Sequence, residues 1–329
     1  MKYLVLKSHD PYLNLATEEY LLNTADDDIF MLWQNDNVVV IGKNQNAYAE
    51  VNVDYLKQHN IKIARRITGG GAVYHDMGNV NYTFISSREK ANALDFAYFT
   101  APIVDALNSL GVVAELSGRN DLLCNGKKFS GNAQYSSDTK ILHHGTLLFD
   151  SDLNVLSSVL KVDPKKIESK AIKSTKSRVT NLKSELKKEV TPTEFIELIL
   201  TYVKKKYAAN EIPIPSYESV RELYEKYSSH EWIYSDRKFL CEFSARRKKR
   251  YPFGIVDVYL TLNKDIIRSI NISGDFFGIK GTEELEKLLV GCELSEGPLK
   301  NRLDGFNVTD CIFGMDNETF IELIMRGEE

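Results

Sequence analysis

The run with the most chemical potential in this sequence is Arg65-Arg66-Ile67-Thr68-Gly69-Gly70-Gly71-Ala72-Val73-Tyr74-His75-Asp76. Three consecutive glycines open backbone conformations that other residues avoid and leave N–H groups uncovered by side chains. A tight turn of such N–H groups makes an anion-binding concavity. The two arginines before it carry permanent charge in a fork suited to phosphate. Strand alternation puts Arg65 on the face of Ile61, Ile63 and Ile67, and Arg66 on the opposite face with Ala64. With the isoleucines toward the core, Arg66 is expected to point into an open site and touch a ligand. The competing reading is a glycine-rich bend whose arginine pairs a core carboxylate. No GxxxxGK[ST] pattern is present, and the segment reads as strand–loop–strand where a P-loop needs a following helix. A site gripping one phosphate, such as an adenylate, fits better than one handling a γ-phosphoryl group.

A second group follows at Gly118-Arg119-Asn120-Asp121 and Asn125 to Ala133. Asn125-Gly126 between two strand-like runs marks a two-residue hairpin, because both turn residues need positive φ. The regular register sets Cys124 against Lys127, Leu123 against Lys128 and Asp121 against Ser130. Lys128, Ser130, Asn132, Leu123 and Asp121 then share one face, and Cys124, Lys127, Phe129 and Leu122 the other. An ammonium flanked by Ser130, Gly131 and Ala133 leaves room for a substrate, whereas an ordinary strand lysine is simply solvated. Composition does not choose between Lys127 and Lys128. In His143-His144, one imidazole faces the site and its neighbour the opposite side of the strand. A core histidine and a catalytic one are equally compatible with this pattern. The four cysteines form no CxxC pair and no metal-ligand rhythm with the six histidines, which argues against structural zinc and fits a reducing compartment.

These residues need elements to hold them. Asp10-Pro11, with Leu15 and Leu22 at helical spacing, predicts a capped helix whose apolar face also carries Glu18 and Glu19. Strands are expected at Ile29 to Trp33, Val38 to Ile41 and Ile61 to Ile67, and a strand pair at Ala72 to His75 and Val80 to Ile85 around Asp76-Met77-Gly78-Asn79. A helix carrying Ile103, Val104, Leu107 and Leu110 stops at Gly111. Strands follow near Val112 to Leu116, Leu122 to Cys124, Lys127 to Ala133 and Ile141 to Phe149. Thr193 to Tyr207 repeats the helical pattern. Beyond the basic run Arg246 to Arg250 come strands Ile255 to Leu262 and Ile266 to Ile272 around Asn263-Lys264-Asp265, then helices at Thr282 to Leu289 and Asn317 to Met325. Without a regular βαβ period, the expected class is α+β with a mixed, largely antiparallel sheet.

At 329 residues, two domains are expected. The division is unequal: residues 1–245 for a domain holding all the chemistry and 246–329 for a small C-terminal α+β accessory domain. Hydrophobic residues at 43%, charged at 27% and aromatic at 10% describe a globular chain, not a disordered one. A net charge of -4 argues against a dedicated nucleic-acid binder, which needs a large positive field. No run approaches the ~20 apolar residues of a membrane span. Tyr3 to Leu6 before Lys7 is too short for a signal-peptide core. The expectation is a soluble cytoplasmic protein, a monomer, with no nucleic-acid or membrane partner. Within residues 161–188 ten Lys/Arg stand against three Asp/Glu.

The motifs together resemble the lipoate–protein ligase A family, within the biotin/lipoate ligase superfamily. The resemblance rests on Asn14-Leu15-Ala16 with Glu18-Glu19, Arg65 to Asp76 with Gly78-Asn79, Gly118 to Asp121, Lys128 to Ala133, His143 to Leu148 and Ser174 to Leu182. It implies a fold of biotin/lipoate-ligase type and a two-step reaction with ATP and Mg2+. Lipoate is first converted to lipoyl-AMP with loss of pyrophosphate, and the acyl group then passes to a lysine of a lipoyl domain. By position Lys128 matches the active-site lysine, contacting both adenylate phosphate and acyl carbonyl. Arg66, Gly70, Gly71, Ala72, Val73, Tyr74 and Asn79 match the nucleotide site, Tyr74 standing where some members have Phe. Gly69, Gly70, Gly71, Ser130 and His144 match the lipoate side, with Asn79, Asn81 and His144 the softer matches, and Asp121 is the candidate metal ligand. Implied partners are lipoyl domains of 2-oxoacid dehydrogenase E2 subunits and the glycine cleavage H protein, with the basic strip steering them. Two alternatives remain: a cysteine-thioester octanoyl or lipoyl transferase, for which Cys124 is the one nearby thiol, and a non-catalytic relative that binds lipoyl domains or nucleotide.

Overall fold

The first helix, α1 (Pro11–Thr24), forms where its cap predicts. The Asp10 carboxylate accepts the Tyr12 and Leu13 amide hydrogens, and Pro11 fills the first turn, where no N–H is needed. The computed structural model describes residues 1–160, 178–186, 188–235 and 242–327. Most of the basic strip, residues 161–177 and Lys187, lies outside them.

The main sheet comprises β1 (Lys2–Val5), β2 (Ile29–Trp33), β6 (Asn79–Ser87), β7 (Ala114–Ser117), β8 (Asp121–Cys124), β9 (Lys127–Ser136), β10 (Lys140–Leu148) and β11 (Asn210–Glu211), in the order β11-β1-β2-β6-β10-β9-β8-β7. The β11, β1 and β2 pairings are parallel and all the others antiparallel, as expected for the α+β class. Alternation divides the sheet's residues. Phe30, Leu32, Val80, Tyr82, Phe84, Ile141 and Leu147 enter one core with Ile103 and Leu107 of the helix Phe96–Ser109 and Phe195 and Ile199 of the helix Pro192–Tyr207. The opposite face carries Trp33, Asn81, Thr83, His144 and Thr146, and α1 reaches it through Glu18. A smaller sheet, β4-β3-β5, comprises β3 (Val38–Ile41), β4 (Lys62–Arg65) and β5 (Val73–His75).

The expected strand pair at Ala72–His75 and Val80–Ile85 does not form. β5 pairs with β3, while β6 lies between β2 and β10 in the main sheet. Asp76 to Gly78 carries the chain from one sheet to the other. The Asp76 carboxylate accepts both the Gly78 N–H at 2.9 Å and the Asp152 N–H at 2.7 Å.

Contacts group the chain into two units. One is Met1–Val40, Glu50–Arg65 and Val73–Ser229; the other is Ile41–Ala49, Arg66–Ala72 and His230–Glu329. This differs from a single cut after residue 245, because two short early segments pack with the C-terminal chain. In the second unit, β12 (Ala245–Tyr251), β13 (Gly254–Asn263) and β14 (Ile266–Gly274) form an antiparallel sheet. The turn joining β13 to β14 has Lys264 and Asp265 at φ 48° and 66°, as a primed turn requires. Val256, Val258, Leu260, Ile270 and Ile272 pack against the helices Glu283–Leu289, Glu296–Arg302 and Asn317–Arg326. The basic run is itself the edge strand β12, with Arg246 bonding the buried Asp257 through two nitrogens. Several helices escaped the sequence reading, among them Val53–Gln58, Leu153–Val159, Tyr217–Ser228 and Glu296–Arg302.

Candidate active site

In the first unit the hairpin β8–β9 sets the position of Lys128. Asn125 and Gly126 take φ 51° and 72°, and Cys124–Lys127 and Leu123–Lys128 pair as expected. The register then shifts: Leu122 pairs with Ser130, and Asp121 with Gly131 instead of Ser130. Phe129 is the extra residue of a bulge. It enters the core, and Ser130 stays on that same side, so the expected face shared by Lys128, Ser130 and Asn132 is broken. Lys128 is turned onto the face of Gly131. A Cβ added to Gly131 would lie 3.3 Å from the lysine Nζ, so the absence of a side chain there is what lets the ammonium lie across β9. Nζ also meets Asp121 Oδ1 at 2.7 Å. On the outer side of β9, the Lys128 N–H donates to Arg178 O at 2.7 Å and its carbonyl accepts from Thr180 N–H at 2.9 Å. Lys127, by contrast, is exposed.

The sheet face beneath Lys128 is a buried polar floor. Trp33, Asn81 and Thr146 stand in one cross-strand row, and Thr146 Oγ1 accepts the Gly131 N–H at 3.2 Å. One residue pair further along, Thr83 faces His144. Trp33 Nε1 donates to Thr83 Oγ1 at 2.9 Å, and Thr83 Oγ1 donates to Glu18 Oε1 at 2.6 Å. His144 Nδ1 meets the two Glu18 oxygens at 2.9 and 3.1 Å. Glu18 is thus a buried carboxylate whose hydrogen bonds fix the ring of His144. The sequence signal for it was an acidic residue on the apolar face of α1. Asn79 Nδ2 donates to Asn81 Oδ1 at 2.9 Å, while Asn79 Oδ1 and Asn81 Nδ2 have no hydrogen-bond partner among the described residues.

Ser130 belongs to a different network. Its hydroxyl lies 3.3 Å from Asn132 Nδ2, and Asn132 Oδ1 receives the Tyr82 hydroxyl. His143 is stacked on Phe99 and bonded to Gln134 at 3.0 Å. Burial, with His144 adjacent, holds the His143 imidazole well below its ordinary pKa, so it stays neutral. His143 is therefore a core histidine, and Ser130 does not share a face with Lys128.

The other assigned residues divide between the units. Val73 and Tyr74 lie on β5 in the first unit, where the Tyr74 hydroxyl donates to Asn37 Oδ1 at 3.1 Å. Burial, and then the carboxylates of Asp76, Asp152 and Asp36, push its pKa up to about 12. Arg66, Gly69, Gly70, Gly71 and Ala72 lie in the second unit. Arg65 and Arg66 are both buried, so the expected contrast between a core-facing and an open arginine does not hold. Arg66 donates to Thr68 Oγ1 at 2.8 Å and to the carbonyls of Gly69 and Gly71 at 2.7 and 2.8 Å. The guanidinium shapes the loop by binding its oxygens. The Gly70 N–H, at φ +90°, is spent on Phe276 O. A Cβ at Gly69 would lie 2.5 Å from that same oxygen, so close packing accounts for both of these glycines. Gly71 is not so confined, the nearest atom to its would-be Cβ being an Asp275 carbon at 3.9 Å.

An all-protein metal cage and a reactive thiol find little support in the side chains. Among the described residues no group of three His, Cys, Asp or Glu could hold a metal ion, and the Asp121 carboxylate is occupied by Lys128. Cys124 is buried in the core, and burial raises its thiol pKa, the opposite of what an acyl-accepting thiolate needs.

Residues 10–204 match the family described as "Lipoyl protein ligase A/B catalytic domain", and residues 241–324 match "Bacterial lipoate protein ligase C-terminus". The chain belongs to the lipoate–protein ligase family. The ligase is 38% identical over 289 residues to the lipoate-protein ligase LplJ of Bacillus subtilis, covering 85% of this chain and 86% of that protein. It is 37% identical to lipoate–protein ligase 1 of Staphylococcus aureus, covering 85% of each chain. Among solved structures it resembles P. falciparum LipL1 in complex with lipoate, with TM-score 0.81, 25% identity and 98% of both chains covered. It also resembles a lipoate-protein ligase A bound with ATP, with TM-score 0.60, 29% identity, and 71% of this chain and 98% of that one covered. The fold and family read from the motifs agree with these matches.

Proposed function

We propose that the ligase activates lipoate with ATP to lipoyl-AMP and then transfers the lipoyl group to a lysine of a lipoyl domain. The observation that carries this reading is the Lys128 ammonium, held over Gly131 at the head of a buried polar row. In the first step a lipoate carboxylate oxygen attacks the α-phosphorus, and the bond to the β-phosphate oxygen breaks, releasing pyrophosphate. Two anions must approach one another, and a fixed cation between them lowers that cost and stabilises the charge that develops. In the second step the acceptor amine, neutral despite an ordinary pKa near ~10.4, attacks the acyl carbon. The C–O bond to phosphate breaks, AMP departs with the electron pair, and the amine gives up a proton. Lys128 serves both steps by exchanging Asp121 for substrate oxygens.

Arg66, Gly70, Gly71, Ala72, Val73, Tyr74 and Asn79 are the proposed nucleotide contacts, with Arg66 acting through the shape it gives the loop. Gly69 to Gly71 and His144 are the proposed lipoate contacts, and Ser130 supports Asn132 from the core side. Mg2+ binds through few carboxylates together with substrate phosphates, which suits a site where Asp121 is the candidate ligand. It would neutralise phosphate charge. A Thermoplasma acidophilum bipartite lipoate ligase has been solved as a system with its E2 lipoyl domain, which supports acceptors of that class. The proposed acceptors are E2 lipoyl domains and the glycine cleavage H protein. No helix among the described residues is long and apolar enough to cross a membrane. A cytoplasmic location and a monomeric state are part of the proposal. Incubating it with ATP, Mg2+, lipoate and a lipoyl domain should add one lipoyl mass to the acceptor by mass spectrometry. Lys128→Ala should abolish this while remaining folded. An unmodified acceptor with the wild-type protein would refute the reading.

A further inference from the structure

The buried polar floor contains a donor that the free protein does not use. Asn81 lies in the middle of β6 and is buried, with its carbonyl oxygen already accepting from Asn79 Nδ2. With that oxygen turned to Asn79, Nδ2 points away from it. Nδ2 then has no hydrogen-bond partner among the described residues. Leaving a buried amide donor unpaired costs about 1–3 kcal/mol. Such a group calls for an explanation, and a ligand that supplies the missing acceptor is one.

Its place in the sheet says which ligand atom that would be. Asn81 is the register partner of Thr146, and Thr146 Oγ1 takes the N–H of Gly131 at 3.2 Å. The Lys128 Nζ lies where the Gly131 side chain would begin, 3.3 Å from a Cβ there. Asn81, Thr146 and Gly131 therefore form one row across β6, β10 and β9. Two strand spacings of about 4.8 Å separate its ends. One end presents an unpaired N–H donor and the other an ammonium, both on the same face. Between them, over Thr146, an oxygen that gains negative charge would be held from both sides. Trp33, Asn81, Thr146 and Gly131 are uncharged; the row continues across β8 to Asp121, whose carboxylate holds Nζ at 2.7 Å in the free protein and is what the substrate oxygen would replace.

We propose that Asn81 Nδ2 donates to the acyl carbonyl oxygen of the lipoyl-adenylate and, with Lys128, stabilises the oxyanion formed when the acceptor amine attacks. The inference rests on the two-step reading above and adds a second residue to it. As the amine nitrogen bonds to the acyl carbon, the carbonyl π pair moves onto oxygen. It returns as the C–O bond to phosphate breaks and AMP leaves. A donor aimed at that oxygen is worth more in the transition state than in the ground state, so its removal lowers the transfer rate more than substrate binding. In adenylation the acyl carbon keeps its geometry, so the same donor matters less there.

The test separates the two half-reactions. Lipoyl-AMP is supplied to the protein, and single-turnover transfer to a lipoyl domain is compared with ATP–pyrophosphate exchange, alongside thermal unfolding without substrates. Asn81→Asp keeps the shape and the acceptor for Asn79 but removes the donor. Asn81→Ser loses the shape but retains a hydroxyl donor. Transfer should fall about 10²–10³-fold in Asn81→Asp, recover in part in Asn81→Ser, and drop much further than exchange in both. Equal losses in both half-reactions, or a Ser variant no better than the Asp variant, would overturn the proposal in favour of a packing role. Should Asn81→Asp fail to fold, the comparison of transfer with exchange in Asn81→Ser decides alone. A wild-type protein that neither exchanges pyrophosphate nor transfers the acyl group would instead sink the two-step reading, a result distinct from any behaviour of the variants.

Discussion

Gly131→Ala is the most economical probe of where the Lys128 ammonium must be. The added methyl would lie 3.3 Å from Nζ and 3.4 Å from Cε, inside ordinary contact by a few tenths of an ångström. Backbone strain does not enter, because Gly131 is not among the positive-φ glycines. The neighbour that must give is the end of a flexible lysine whose ion pair with Asp121 is part-exposed and worth little, so stability should change by no more than about 0.5 kcal/mol. Activity should respond differently. The methyl pushes Nζ off the row that runs through Thr146, and a displacement of about 1 Å at a charge-positioning group can cost about 10²-fold in rate. The shift here is a few tenths of an ångström, so pyrophosphate release from ATP and lipoate, followed by a coupled phosphate assay, should slow by about 2- to 10-fold while the unfolding midpoint stays within about 2 °C. Full activity in Gly131→Ala would mean that Nζ works from somewhere other than across β9, and the bulge argument would fall with it.

Three further outcomes follow from the same geometry. Gly145→Ala should destabilise the protein by about 1–3 kcal/mol in denaturant unfolding, because its Cβ would lie 2.7 Å from the Tyr82 ring and closer still to Asn132 Oδ1. Cys124→Ala should leave ATP-dependent lipoylation of an acceptor intact; loss of acyl transfer in a folded variant would revive the thioester route. The neutral, buried His143 has a depressed pKa, so the unfolded chain takes up a proton near pH ~6.5 that the folded chain refuses. Its contribution is complete above that pH and is lost as the pH falls toward the folded value, at about 1.4 kcal/mol per pH unit. His143→Gln should flatten the acid side of the stability profile between pH 7 and 5, and an unchanged slope would assign the acid sensitivity to other groups.

Local signals were the legible part of this molecule. Asp10-Pro11, Gly111, Asn125-Gly126 and Asn263 to Asp265 act on their immediate neighbours, and each formed the cap, stop or turn its chemistry requires. Pairings between distant segments were not legible. Val73 to His75 and Asn79 to Ser87 look like a hairpin because they are adjacent, but their partners are set by burial across two sheets. The bulge at Phe129 is the sharpest case. In Lys128-Phe129-Ser130, regular alternation and a bulge are both sterically allowed, and both put Phe129 in the core with Leu122 and Cys124, so the hairpin's apolar pattern does not choose between them. One residue of slip changes which side chains accompany the lysine, so Ser130 was placed on the wrong face while Gly131 gained its role. Arg66 was legible as important but not in direction, since the oxygens it binds belong to its own loop. Glu18 stood out as a carboxylate on an apolar helix face, yet only the fold brings Thr83 and His144 to it.

The grouping of Ile41–Ala49 and Arg66–Ala72 with the C-terminal unit has a consequence for how the chain melts. Strand β3 ends at Ile41 and β4 at Arg65, so each early segment leaves a strand of the first unit with no linker between. The chain passes between the units five times as continuous backbone, so neither unit is one uninterrupted piece of sequence. Separate domains joined by a tether give separate heat-absorption peaks, whereas a chain interleaved in this way should unfold in one. A calorimetric trace with a single peak, and a van't Hoff enthalpy equal to the measured one, is the expected signature.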